Sequence, residues 1–329
     1  MERTIQMKNN GQINVVLSKR NIVDVENVPI VTEVKKEKDN IVRLKHSLLH
    51  ELNQEFSKLI GMEEIRNVME EIYAWIYINK VREEKGLHSS KQALHMLFKG
   101  NPGTGKTTVA RMLGKFFHKM QILSKGHIIE AERADLVGEY IGHTAQKTRD
   151  LIKKAMGGIL FIDEAYSLAR GGEKDFGKEA IDTLVKHMED KQHDFILILA
   201  GYSKEMNHFL SLNPGLYSRF PFIIDFPDYD ETELFEMATN MYAEREYMLT
   251  QEASSQLKEH LLDSKRNYGK NFSNGRYIRN LVEKTLRIHA NRLLSLEDFD
   301  KTDLMMIHSS DLVIASKKVK NDKADGNKR

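Results

Sequence analysis

Apolar positions along this chain fall into two textures. Between residues 94 and 226 short apolar runs recur: "LHMLF" (94–98), "HIIEA" (127–131), "GILFID" (158–163), "FILILA" (195–200) and "FIIDF" (222–226). Unbroken runs of this kind suit strands buried on both faces, as in a parallel sheet. Most are separated by helical patterns. In 179–190, Ile181, Leu184, Val185 and Met188 fall at i, i+3, i+4 and i+7, which sets one helix face against a sheet. Strand and helix taking turns predict an α/β fold, a doubly wound parallel sheet with its ligand at the C-terminal edge of the strands. After Pro227 the texture becomes helical only, over 230–246, 251–264 and 276–293, and predicts a second, all-α domain.

The ends read differently. Residues 1–45 alternate short Val/Ile runs with polar ones and close on the charge cluster "EVKKEKDN", which fits a small hairpin or a mobile arm. Residues 316–329 are charged and poor in apolar side chains, the composition of a disordered tail. The expected organisation is therefore an arm at 1–45, a sheet domain at 46–228, a helical domain at 229–315 and the tail. A length of 329 residues accommodates two globular units.

Composition narrows the function classes. Fifty Lys and Arg against 48 Asp and Glu leave a net charge of +2, so no global field favours nucleic acid or anionic lipid. The absence of cysteine removes disulfides and thiolate metal sites, and the 13 histidines show no HExxH-type pairing, so zinc is not expected. No apolar stretch approaches the ~20 residues of a membrane span and the first residues have no apolar signal core, which makes the cytoplasm the expected location.

Chemistry concentrates in "LFKGNPGTGKTTVARML" (97–113). Gly100-Asn101-Pro102-Gly103-Thr104-Gly105-Lys106-Thr107 matches GxxxxGK[ST] between a predicted strand and a predicted helix, with Thr108 next in line. Glycines let backbone N–H groups turn around phosphate oxygens, the helix N-terminus adds its dipole, Lys106 spans the terminal phosphates and the Thr107 hydroxyl suits magnesium. Further on, "GGILFIDEAY" ends a strand on two carboxylates. Asp163 would face the magnesium or its water, and Glu164 would polarise an attacking water. Alone, such a segment also fits a strand running into a solvated turn; the phosphate loop is what favours the catalytic reading.

Together with "SKGHIIEAERADLVGEYIGHTAQKT" and "NPGLYSRF", these motifs resemble the AAA+ ATPases, in particular a branch containing red-type rubisco activases and sporulation proteins of endospore-forming bacteria. The likeness runs from about residue 45 to 315. It implies a P-loop domain with a small helical lid, ATP and Mg2+ as ligands, a homo-oligomeric and usually hexameric ring, and a protein client moved by ATP hydrolysis. For this branch it also implies a place in spore development; a nucleic-acid motor and an ATP-gated scaffold are the competing readings. By the same resemblance Arg219 matches the arginine finger given to a neighbouring subunit, and Arg276 the lid arginine facing its own nucleotide, with Arg279 the competing choice. Tyr140, Ile141 and Gly142 match a pore loop, with Gly138 and Gly142 giving it freedom to move. Ile60 and Gly61 match adenine contacts, with Ile278 over the other face of the base. One departure stands out: many relatives carry Asn after the fourth strand, where this chain has Tyr202 and Ser203.

Overall fold

A computed structural model of the chain describes residues 5–7, 13–15, 46–89, 92–140, 142–170, 176–269 and 272–315. The chain divides into two units, Met1–Ser47 and Leu48–Arg329. In the first, β1 (Ile5–Met7) and β2 (Ile13–Val15) pair antiparallel. The rest of the expected arm and the expected tail at 316–329 lie outside the described residues.

The second unit opens with α1 (Ser47–Ser57) and α2 (Glu63–Glu84). Glu63 and Glu64 in the first turn of α2 and Arg82 in its last complement the helix dipole. There follow β3 (Met96–Gly100), α3 (Lys106–Lys119), β4 (Ile128–Ala131), α4 (Arg133–Leu136), α5 (His143–Ala155) and β5 (Ile159–Ile162). A 3-10 turn at Ala165–Ala169, α6 (Gly177–Asp190), β6 (Ile196–Gly201), α7 (Ser203–Leu212), α8 (Pro214–Tyr217) and β7 (Phe222–Phe226) complete this part. The five expected strands form one wholly parallel sheet in the order β4-β5-β6-β3-β7.

Period-two alternation sorts the strand side chains onto two buried faces. Met96, Phe98, Ile159, Phe161, Ile196 and Ile198 join one apolar cluster. Leu97, Leu160, Ile162, Leu197 and Leu199 join the other, where Ile181, Leu184 and Met188 of α6 cover them and Val185 is partly buried. The order matters for function because β3 lies between β6 and β7, with Lys99 opposite Gly201 and Gly100 opposite Phe226. The loop after β3 thus emerges at the centre of the C-terminal edge, and the residues after β5 and β6 emerge beside it.

Beyond β7 the chain is mainly helical: α9 (Glu231–Ala243), α10 (Gln251–Tyr268), α11 (Asn274–Leu293), α12 (Lys301–Met305) and a helix over 309–315. Asp230 caps α9 in a reciprocal box with Glu233, each side chain accepting from the other's backbone N–H at 2.7 Å. Thr250 caps α10 through the N–H of Ala253. A parallel pair, β8 (Met248–Leu249) and β9 (Met306–Ile307), was not expected; at two residues each the strands are too short to leave a periodic signal. The cluster on the Met96–Phe98 face continues into these helices through Met62, Tyr229, Leu234, Tyr242, Leu257 and Ile278.

His95, just before β3, is buried. Its Nδ1 accepts from the Leu197 N–H at 3.0 Å and its Nε2 faces the Met188 carbonyl at 3.3 Å, an arrangement that needs a neutral ring with the proton on Nε2. Burial holds its pKa down to about 4, with the nearby His193 acting the same way and the Met188 carbonyl opposing. The unfolded chain, at the ordinary 6.5, therefore takes up this proton first as pH falls. Stability from this site is intact above pH 6.5 and is lost from there toward pH 4, by about 2 kcal/mol at pH 5. Denaturant titrations at pH 7.5 and 5.0 should show that His95→Asn, whose amide oxygen can still accept from Leu197, abolishes a loss of that size.

Candidate nucleotide site

The loop between β3 and α3 is shaped by three glycines. Gly103 has φ +74° and Gly105 φ +94°, both in the left-handed region, and Gly105 starts α3. Thr104 between them is buried, its hydroxyl donating to the Asn101 carbonyl at 2.8 Å. Lys106 lies back over the loop, its ammonium donating to the carbonyls of Gly100 at 2.8 Å and Asn101 at 2.7 Å. Burial holds this ammonium down to about 8; Asp163 and Asp228 oppose the shift and Arg276 adds to it. A cation weakened by burial and facing backbone oxygens suits an anion that supplies the missing charge.

A cavity of about 450 Å³ opens over this loop. Gly100, Pro102, Gly103, Gly105, Lys106, Thr107 and Thr108 line it, together with Asp163 and Glu164. Two further residues of the loop turn their side chains away from it: Thr104 is buried, and the Asn101 amide donates to Asp228. Glu164 has φ +46° and ψ +41°, a conformation costing a non-glycine residue about 1–2 kcal/mol. Its carbonyl opens the 3-10 turn by accepting from Ser167, and its N–H donates to the Asp163 carboxylate at 2.9 Å. The strained backbone lets adjacent carboxylates both line one cavity. Tyr166 is pushed up to about 12, first by burial and then by Glu164, and its ring lies 5.9 Å from that of Tyr202. Tyr202 lines the cavity; burial first, then Glu164, raises its phenol. Ser203 instead begins α7.

From the helical part, Arg276 and Arg279, one turn apart on α11, both reach the cavity. Ile60 lines it beside Lys58, Leu59 and Met62. Gly61 does not: at φ +68° it makes the turn into α2, and a Cβ there would meet a Glu233 carboxylate oxygen at 2.5 Å. Ile278 must also be corrected. It sits on the inward face of α11 with Leu281 and Val282, fully buried in the helical core. Met237, Asn240 and Met241 of α9 and Glu244 at its C-terminal cap line the cavity instead. These four stand at i, i+3, i+4 and i+7, a spacing that places them on one helix face.

Two expected functional positions lie away from the cavity. Arg219, after α8, donates through Nε to the Glu189 carboxylate at 2.9 Å and through Nη1 to the Gly215 carbonyl. Tyr140 is 65% exposed, its ring edge-on to His143 at 5.4 Å. Gly142 starts α5 at φ +82°. Gly138 is fixed rather than free: its N–H donates to the Thr144 hydroxyl, and a Cβ would strike His143 at 2.6 Å. Ile141 lies outside the described residues. Among the described residues no group of three or more His, Asp or Glu side chains could hold a metal ion by itself, and no helix is long and apolar enough to cross a membrane.

Residues 96–228 match the family model "ATPase family associated with various cellular activities (AAA)", and residues 230–322 match "AAA lid domain". Stage V sporulation protein K of Bacillus subtilis is 62% identical over 95% of this chain and 97% of its own length. CbbX of Cereibacter sphaeroides is 43% identical over 75% of this chain and 79% of its own length. The chloroplastic ribulose bisphosphate carboxylase/oxygenase activase of Cyanidioschyzon merolae is 40% identical, covering 81% and 90% respectively. Among solved structures, a RuvB mutant from Thermotoga maritima superposes with a TM-score of 0.51 at 16% identity, covering 80% of this chain and 71% of that one, a likeness of fold. With the phosphate loop, the paired carboxylates and the lid all present, this chain belongs to the AAA family of ATPases.

Proposed function

We propose that the chain is a magnesium-dependent ATPase that works as a ring, hexameric by family habit, and remodels a protein client through a central pore. The observation that carries the ring reading is the separation of Arg219 from the cavity of its own subunit: a guanidinium held on Glu189 at another part of the surface is available to a neighbour. The relative named for stage V sporulation supports a role in spore development.

In hydrolysis, Glu164 takes a proton from water as its oxygen attacks the γ-phosphorus, the bond to the bridging oxygen breaks, and ADP and phosphate leave. Lys106 and Arg276 meet the charge on the phosphoryl oxygens from within the subunit, and Arg219 meets it from the next one. The Thr107 hydroxyl and the Asp163 carboxylate are hard oxygen donors that would hold Mg2+, which would supply positive charge to offset that of the phosphates. A net charge of only +2 gives no support to a nucleic-acid track, whereas the exposed Tyr140 offers an aromatic grip on a peptide.

Three outcomes follow. Glu164→Gln and Arg219→Ala should each lower ATP turnover at least a hundredfold. Mixing the two should restore measurable turnover, because an Arg219→Ala subunit keeps its own Glu164 and gains Arg219 from a Glu164→Gln neighbour; no recovery would refute donation between subunits. Secondly, Lys106 should make nucleotide affinity fall as pH rises through about 8, since bound phosphate favours the charged amine. ADP should bind about tenfold more weakly at pH 9 than at pH 7, and Lys106→Arg should flatten that dependence. Finally, Glu164→Gln protein held in ATP should co-purify a client protein, and Tyr140→Ala added to that variant should release it.

A further inference from the structure

Where β7 gives way to the lid, Asp228, Asn101 and Asn274 form a polar node that the hydrolytic chemistry does not use. Both Asp228 carboxylate oxygens accept from the Asn101 amide, at 3.0 and 2.8 Å. Oδ1 also accepts from Asn274 Nδ2 at 2.7 Å. Asn274 is fully buried although it opens a helix, and it adopts φ +43°. Its Oδ1 accepts from the Tyr229 N–H at 3.1 Å. Its Nδ2 has the carbonyls of Phe272 and Pro102 at 3.3 and 3.4 Å as further acceptors. One amide offers only two N–H bonds, so the short, charged contact to Asp228 takes one and the two carbonyls compete for the other.

The next residue continues the junction, because the Gly275 N–H donates to the Gly103 carbonyl at 3.0 Å. A Cβ on Gly103 would meet the Arg276 nitrogen at 2.8 Å and crowd the Ser273 carbonyl. Two consecutive residues of the first turn of α11 are therefore bonded to the phosphate loop or to its Asp228 anchor, and Arg276, which lines the cavity, comes immediately after them. Apolar contacts hold the lid nearby but are non-directional. The amide and carboxylate bonds are what fix its register. The Asp228 side is open to solvent, so water can replace these partners when the lid moves.

We propose that Asp228 and Asn274 are positioning residues that fasten the first turn of the lid helix to the phosphate loop and so aim Arg276 at the bound triphosphate. This rests on the reading of the cavity as the ATP site with Arg276 facing its own nucleotide. The test has a conformational arm and a kinetic arm. The chain has no cysteine, so spin labels can be placed at exposed Lys204→Cys on α7 and Glu259→Cys on α10 of the full-length protein with ADP bound. Electron–electron distances should be narrowly distributed in the labelled parent and broad in Asp228→Ala. Asn101→Ala, which removes the two Asn101–Asp228 bonds and leaves the one from Asn274, should broaden them too, but by less.

In the kinetic arm, Asp228→Ala should lower kcat for ATP about tenfold with KM changed less than threefold, and should lower it less than twofold further once Arg276→Ala is present, as expected of groups acting through one another. An unchanged distance distribution overturns the proposal whatever the ATPase does. So does a full tenfold further loss on the Arg276→Ala background. If Arg276→Ala alone leaves turnover intact, the assignment of Arg276 has failed, and the distances alone decide whether the fastening exists.

Discussion

Three positions in the phosphate loop have no room for a side chain, and each is crowded by a different part of the molecule. At Gly100 a Cβ would meet Phe226 of β7, at Gly103 the start of α11, and at Gly105 the Met62 methyl at 2.6 Å. The loop is thus the meeting point of the sheet, the lid and the turn between α1 and α2. Its curvature, set by positive φ at Gly103 and Gly105, cannot change without displacing a neighbour. Because the surrounding segments close in this tightly, Lys106 is desolvated and its ammonium weakened. The geometry that prepares the site for phosphate and the geometry that seats the lid are therefore the same constraint.

The sheet supplies the second half of the arrangement. With β3 between β6 and β7, residues that follow β5 and β6 converge on the loop, which brings Asp163, Glu164 and Tyr202 to the cavity. Glu164 is strained to do so. The strain is held by a well-packed turn, in which Ala165, Tyr166 and Leu168 are buried and Arg133 donates to the Ser167 carbonyl at 2.6 Å. An apolar cluster shared between one sheet face and the lid helices ties the two parts further together.

Much of this was legible in the chain because the signals were long or chemically unusual. Short apolar runs identified all five strands of the main sheet, most clearly the central β3, β5 and β6, which are buried nearly throughout. The edge strands β4 and β7 each carry an exposed carboxylate. The glycine-rich loop and the paired carboxylates combine residue types that ordinary turns do not require. What stayed hidden depended on which way a helix faces. The family resemblance sets Ile278 over the base, but α11 turns its Ile278–Leu281–Val282 side inward. Asn101 and Thr104 fit a phosphate-binding motif by position, yet their side chains serve the loop itself. Asp228 and Asn274 are 46 residues apart in sequence, and no local pattern announces that they share a hydrogen bond. The β8–β9 pair was too short to register.

The contact between Arg219 and Glu189 has a bearing on how subunits come together. An unassembled chain keeps this guanidinium compensated by a carboxylate, so the surface there is electrically quiet and offers little to stray anions. In the ring proposed above, association exchanges one anionic partner for another instead of ordering an unpaired cation. Such an exchange carries a small net free-energy change, because the Coulombic gain at the new partner is offset by the loss of the old one. Contacts at this joint can then tighten and loosen with the phosphate content of the neighbouring subunit while the guanidinium stays paired in both states and the exposed Glu189 carboxylate is left to water.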